Sequence, residues 1–308
     1  MIVVEHLTKK YGDLAAVRDL SFTVEKGKIW GLLGPNGSGK TTTMRILTGF
    51  LSASQGKASV GGFDVFDRPD EVKKIIGYLP ENVPLYPEMT VAGYLRFVAE
   101  IKQVSRSKRS GAADHVVESC GLESVRKRLI RNISRGFKQR LGLAQALIHD
   151  PQVLILDEPT IGLDPAQIVE IRQLIKSLRR ERTIMLSTHI LPEVSQTCDG
   201  VAIISEGRLI TSTSLADLAS SFGDREGVVL KVRRGGREAA AAIRRVKGVD
   251  KAEQEGNELR VEWGRGCDPR EDILEVIAQK ELGLLEMRPT SPSVEDIYLK
   301  VVSGGTAQ

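Results

Sequence analysis

The amino-acid sequence predicts an α/β fold on a parallel-sheet core with a small C-terminal α+β domain, and three observations predict it. The run Ile29-Trp30-Gly31-Leu32-Leu33 passes directly into a glycine-rich turn and a helix-forming stretch, the order of a buried strand feeding a helix. A second apolar run, Val153-Leu154-Ile155-Leu156, ends in Asp157 and Glu158, as expected of a strand buried on both faces whose C-terminal tip opens on a ligand crevice. Beyond residue 215 the pattern changes to short strands and helices, and the length of 308 residues exceeds what one compact core usually holds. The expected domains are 1–215 and 216–308.

In chain order, Ile2 to Leu7 and Leu20 to Val24 read as short strands ahead of the 29–33 strand. Gly34-Pro35-Asn36-Gly37-Ser38-Gly39-Lys40-Thr41 then fits the G-x-x-x-x-G-K-[ST] pattern of a P-loop, with the helix that this pattern requires running on from Thr42 to Leu47. Ile76 to Pro80 is another strand. The following stretch, 82–91, is broken by Pro84 and Pro87 and reads as a loop, either a docking groove or buried packing. Leu141 to Leu147 is helical in pattern, and Thr183 to Leu186 is a strand before Ser187-Thr188-His189. Past it come a linker helix (Leu215 to Ser221), a strand (Val228 to Val232), a helix (Glu238 to Val246), a hairpin around Glu255-Gly256-Asn257, a helix (Glu271 to Lys280) and a strand (Leu284 to Arg288). That order suggests a small, ferredoxin-like α+β domain.

The chemistry explains the residue types. Gly34, Gly37 and Gly39, with Pro35, Asn36 and Ser38 between them, let backbone N–H groups curl around phosphate oxygens, and the helix that continues through Thr42 adds the positive end of its dipole. Lys40 reaches the β- and γ-phosphates of ATP, and Thr41 offers a hydroxyl to Mg²⁺. Asp157 is suited to hold Mg²⁺ through water, and Glu158 to orient or deprotonate the water that attacks the γ-phosphate. Helix capping is the alternative for two adjacent acids, and the P-loop upstream favours the chemical reading.

Between these motifs, Asn132-Ile133-Ser134-Arg135-Gly136-Phe137-Lys138-Gln139-Arg140 resembles the signature of ABC transporter ATP-binding subunits, whose usual form is Leu-Ser-Gly-Gly-Gln. Ile133, Arg135 and Phe137 depart from it; Ser134 and Gly136 do not. The resemblance runs from Met1 to about Ile210 and includes Pro159-Thr160-Ile161-Gly162-Leu163-Asp164-Pro165. It implies a P-loop ABC ATPase domain with an antiparallel β subdomain and a helical signature subdomain. It further implies a homodimer, or a paired ATPase subunit, in which Ser134 and Gly136 cap ATP held by the other chain's P-loop, Asp164 crosses the interface, Tyr11 stacks on adenine and His189 contacts the γ-phosphate. The partner it implies in the membrane is a polytopic permease. Glutamine normally follows the strand 76–80; here it is Glu81, as in exporter-type ATPases of the gliding-motility-like group, and Glu81 faces either Mg²⁺ or the γ-phosphate. The tail Ser293 to Lys300 also looks like that of such exporters. ABC ATPases of translation or repair, and inactive ABC modules, are disfavoured by the lack of a second ATPase domain or a long coiled coil and by the presence of Lys40, Glu158 and His189.

Composition bounds the function in the same direction. No apolar run approaches membrane-spanning length, and the N-terminus lacks a basic region followed by a long apolar one, so the expected place is cytoplasmic, peripheral on the membrane through the permease. Cys120, Cys198 and Cys267 are far apart and odd in number, the pattern of reduced thiols. A net charge of +4 with scattered basic clusters argues against a nucleic-acid partner.

Overall fold

The structure, a computed structural model, describes residues 1–179, 182–221, 225–234, 236–256, 258–264 and 266–289. The chain forms two compact units, Met1–Leu215 and Ala216–Gln308. In the first, β1 (Ile2–Tyr11) and β2 (Leu14–Val24) precede β3 (Ile29–Leu33), α1 (Lys40–Leu47), β4 (Gln55–Val60), β5 (Phe63–Asp64), α2 (Pro69–Ile75) and β6 (Ile76–Leu79). A helical stretch follows, α3 (Val91–Ile101), α4 (Arg109–Ser119) and α5 (Arg135–Leu147), before β7 (Val153–Asp157), α6 (Pro165–Ser177), β8 (Thr183–Thr188), α7 (Leu191–Thr197) and the hairpin β9 (Gly200–Ser205) and β10 (Arg208–Ser214).

The alternation of apolar residues along the strands explains the layers. The six-stranded sheet runs β10-β9-β3-β8-β7-β6 and is parallel except at the β9–β10 hairpin. Leu154, Leu156, Ile184 and Leu186 point to one face and pack with α3, α4, α5 and α6. Val153, Ile155 and Met185 point to the other and pack with α1 and the antiparallel sheet β2-β1-β4-β5. Both faces are covered, so these strands are apolar throughout, and each fully buried Leu or Ile contributes about 1.5–3 kcal/mol.

Strand register places the chemistry. Leu33 pairs with Thr188, and Asp157 pairs with Ser187, so β3, β8 and β7 end side by side and the residues that follow them, Gly34, His189 and Glu158, stand at one edge of the sheet. At the other end of these strands the last turn of α5 packs on β6 at Gly77, where a Cβ would lie 2.2 Å from the Ala146 carbonyl oxygen.

The second unit continues with α8 (Leu215–Ser221), whose first residue closes the first unit, then β11 (Arg225–Val232), α9 (Gly236–Ile243), β12 (Val249–Glu255), β13 (Glu258–Gly264), α10 (Arg270–Gln279) and β14 (Leu284–Pro289). Its sheet order is β12-β13-β11-β14, antiparallel throughout, with the βαββαβ chain order of a ferredoxin-like unit. Trp263, Leu230, Ile243 and Ile273 fill its core. Asn257 and the tail Ser293 to Lys300 lie outside the described residues. Several expected bounds shift: the first two strands lengthen to Tyr11 and back to Leu14 because they go on pairing with each other through register shifts between Val4 and Lys10, β11 begins at Arg225, and α9 starts two and ends three residues early. Among the described residues no helix is long and apolar enough to cross a membrane.

Just after α5, His149 Nε2 lies 3.0 Å from the Ile76 carbonyl oxygen, and its buried Nδ1 has no partner. Burial, and then repulsion from Lys102, push the ring down to about 4, against the pull of the Ile76 carbonyl and Asp150. The unfolded chain takes up this proton near pH 6.5, the native chain only near 4, so the unfolded state binds more protons between these values and stability is lost as pH falls through them. Urea midpoints should therefore decrease from pH 6.5 to about 4, and His149→Gln should flatten that decline; an equal decline in both proteins would contradict the assignment.

Candidate functional site

The glycine-rich loop wraps the start of α1 because glycine is the residue its backbone admits. Gly39 caps the helix at φ +103°, and a Cβ there would meet the Ala16 carbonyl oxygen at 2.5 Å. Gly34 passes so close to Ile204 that a Cβ would lie 2.2 Å from its carbonyl oxygen. The loop thereby presents backbone N–H groups at a helix N-terminus, and no acid sits in the first turn of α1.

Lys40 folds back into this loop. Its side chain is only 6% exposed, and Nζ donates to the carbonyl oxygens of Gly34 at 2.8 Å and Pro35 at 3.1 Å while standing 3.7 Å from Glu158 Oε1. Across the cavity, Glu158 follows the last residue of β7 with φ +48°, a left-handed conformation that costs a non-glycine residue about 1–3 kcal/mol and persists where its surroundings enforce it. Its N–H donates to Ser187 Oγ at 2.9 Å, and its Oε2 lies 3.0 Å from His189 Nδ1. Lys40, Glu158 and His189 thus form one chain of contacts.

Asp157 is buried beside it. Oδ1 accepts from Ser187 Oγ at 2.6 Å and from Thr41 Oγ1 at 3.3 Å, whereas Oδ2 is buried without a partner. An orphaned carboxylate oxygen next to a threonine hydroxyl is a donor set of hard oxygens. Among the described residues no three His, Cys, Asp or Glu side chains converge into a metal cage, so any cation here takes most of its ligands from elsewhere.

These groups enclose a cavity of about 340 Å³, with Asn36, Gly37, Gly39, Lys40, Thr41 and Thr42 on one wall and Glu81, Glu158 and His189 on the other. A larger cleft of about 1300 Å³ opens near α3, α4 and the end of α5. Two of its cations, Lys74 and Arg182, are already paired with Glu71 and Asp150. Chemistry, not size, selects the smaller cavity.

The other expected site residues do not line it. Ser134 caps α5, its Oγ accepting from the Phe137 N–H at 3.4 Å, and Gly136 lies buried against Gln167. Asp164 caps α6 by accepting from the Gln167 N–H at 2.9 Å. Arg135 lays its guanidinium over Gly162. Tyr11, implied to stack on adenine, ends β1 away from this cavity, 48% exposed with Lys9 Nζ 5.3 Å from its ring centroid. The stretch 82–90 divides: Val83, Leu85 and Met89 pack on the core, while Tyr86 stays 55% exposed with Phe97 edge-on to its ring at 5.6 Å. Sequence reasoning missed two supports. Ser187, inside the motif that ends at His189, bridges Asp157 and Glu158, and buried Gln139 ties α5 to the Pro159 carbonyl oxygen at 2.8 Å.

A family model described as ABC transporter matches residues 17–161. The chain is 34% identical to the bacitracin transport ATP-binding protein of Bacillus licheniformis over 308 residues, covering 99% of this chain and 98% of that one. It is 30% identical to the linearmycin resistance ATP-binding protein of Bacillus subtilis, covering 98% of each. A solved structure of the ATP-binding subunit of an ABC transporter superposes with a TM-score of 0.66 at 29% identity, over 72% of this chain and 93% of that one. The likeness extends over the whole chain as well as over the nucleotide cassette, and the chain belongs to the ABC transporter family as an ATP-binding subunit that hydrolyses ATP in the service of transport.

Proposed function

We propose that the cavity between Lys40 and Glu158 is the hydrolytic site, that it works with Mg²⁺, and that it energises export through a separate membrane permease on the cytoplasmic face. The observation that carries this reading is the strand register that sets Lys40, Glu158 and His189 around one small cavity. The N–H groups of Asn36, Gly37 and Gly39 to Thr42 cradle the phosphates, and the Lys40 ammonium turns from the Gly34 and Pro35 carbonyls to the β- and γ-phosphates. Glu158 accepts a proton from the attacking water as the new P–O bond forms and the bond to ADP breaks, releasing ADP and phosphate. His189, 3.0 Å from that carboxylate, holds its orientation and faces the γ-phosphate. Thr41 and Asp157 would hold Mg²⁺, with Oδ2 of Asp157 as the orphaned donor, and the ion would neutralise charge on the β- and γ-phosphates.

Ser134, Gly136 and Asp164 lie outside this cavity, which supports a second copy of the chain whose signature closes on the ATP, each site then being composite. Tyr11 stacks on adenine. Tyr86, Phe97 and Ile101, all exposed, offer the permease an apolar contact. The likeness to a linearmycin resistance protein supports export, and Glu81 fits the gliding-motility-like exporters. Residues 216–308 form a regulatory or assembly domain. Nucleic acid has no part in this reading.

Glu158→Gln should bind Mg·ATP yet turn it over at least ~100-fold more slowly, because the phosphate cradle is spared while the water loses its base. Turnover at the wild-type rate would remove Glu158 from the mechanism. Glu81 lines the same cavity and differs from glutamine chiefly in charge. We propose that it faces Mg²⁺, so Glu81→Gln should raise the Mg²⁺ concentration needed for half-maximal ATP affinity and leave binding in EDTA little changed. Superimposable Mg²⁺ titrations would show that Glu81 does not face the metal.

A further inference from the structure

The strand tips that carry Glu158 and His189 are tied together by a group that belongs to neither. Glu193, in α7, is only 3% exposed, and both of its carboxylate oxygens accept hydroxyl protons. Oε1 accepts from Thr160 Oγ1, two residues after Glu158, and Oε2 accepts from Thr188 Oγ1 at 2.6 Å, the residue before His189. Thr188 Oγ1 in turn accepts the Ile190 N–H at 3.0 Å. The carboxylate therefore joins the turn leaving β7 to the turn leaving β8.

Stability alone accounts poorly for such a group, since burying an acid that is met by hydroxyls costs more than burying an apolar side chain of the same size. The gain lies at its two ends. Glu158 is held at φ +48°, where a non-glycine residue stays only if its neighbours fix it. Ser187 fixes it on one side by accepting its N–H, and the anchored Thr160 fixes the turn on the other, where the Ile161 N–H reaches the Glu158 carbonyl oxygen at 3.2 Å. The anchored Thr188 sets the point at which His189 leaves β8.

We propose that Glu193 is a positioning residue for ATP hydrolysis, a brace that holds Thr160 and Thr188 at a fixed separation and so keeps the Glu158 carboxylate and the His189 ring aimed at one point of the cavity. The proposal rests on the reading of Glu158 as the group that handles the attacking water. Glu193 does not line the cavity, so it acts through Glu158 and His189 and not on the nucleotide. An amide cannot accept hydroxyl protons at both of its ends.

The test is steady-state ATPase and ATP binding by the full chain. Glu193→Gln should lower kcat by roughly 10-fold or more, as small misplacements of reacting groups do, while KM for ATP stays within about twofold because the phosphate cradle is untouched. The double variant Glu193→Gln/Glu158→Gln should be no slower than Glu158→Gln, since both changes act through one carboxylate. Thr160→Val should reproduce the kcat loss and Thr160→Ser recover most of it, and this pair decides the matter if Glu193→Gln fails to fold. Wild-type turnover in Glu193→Gln beside a slow Glu158→Gln would overturn the brace and spare the site. Multiplying losses in the double variant, or a rise in KM matching the fall in kcat, would reduce Glu193 to a structural role. Wild-type turnover in Glu158→Gln would instead overturn the site reading, and the brace with it.

Discussion

Three parallel strands that stop at the same level are the constraint on which the remainder depends. Because Leu33 pairs with Thr188 and Asp157 with Ser187, the chain leaves β3, β8 and β7 at one edge, and each departure carries a different group: a glycine-rich loop, a histidine and an acid. Side chains alternate with period two, so a one-residue slip of β7 against β8 would turn Asp157 towards the opposite face and exchange Leu154 and Leu156 with Val153 and Ile155 between the two differently shaped cores. Apolar burial on both faces of the sheet therefore also holds the site in register.

Charge at that edge is held ready inside the protein. Lys40 is buried against two carbonyl oxygens and the carboxylate of Glu158, and Asp157 keeps one oxygen without a partner. A buried ion without compensation costs several kcal/mol, so each group leans on its neighbour. On the proposed reading, a bound triphosphate gives Lys40 stronger acceptors than these carbonyls and leaves the Glu158 carboxylate to the water. The contacts that balance these charges within the protein are then the ones that nucleotide binding rearranges.

What was legible in the sequence is what local chemistry dictates. Gly34 to Thr41 must be glycine-rich wherever a backbone wraps an anion, and Val153 to Glu158 must be apolar and then acidic wherever a buried strand ends at a ligand. The second unit's βαββαβ order was likewise visible in its alternating pattern. Supports drawn from distant segments were not. Ser187 and Gln139 resemble any serine or glutamine until the fold sets them against Glu158 and Pro159, and Glu193 resembles an ordinary helix-surface acid until α7 packs it between two threonines. The first strand runs past Leu7 through Lys9 and Lys10, which break its apolar alternation, because β1 and β2 go on pairing through register shifts to Tyr11 and Leu14.

The parts of the signature that the cavity does not contain give the account its central claim, that one chain supplies the P-loop and another supplies Ser134. If sites are shared in this way, Lys40→Ala and Ser134→Arg each disable a different half of a composite site. Mixed dimers of the two hold one site with both lesions and one with neither, so combining two inactive chains should restore partial ATPase activity. Verified mixed dimers that remain inactive would contradict the sharing of sites between chains.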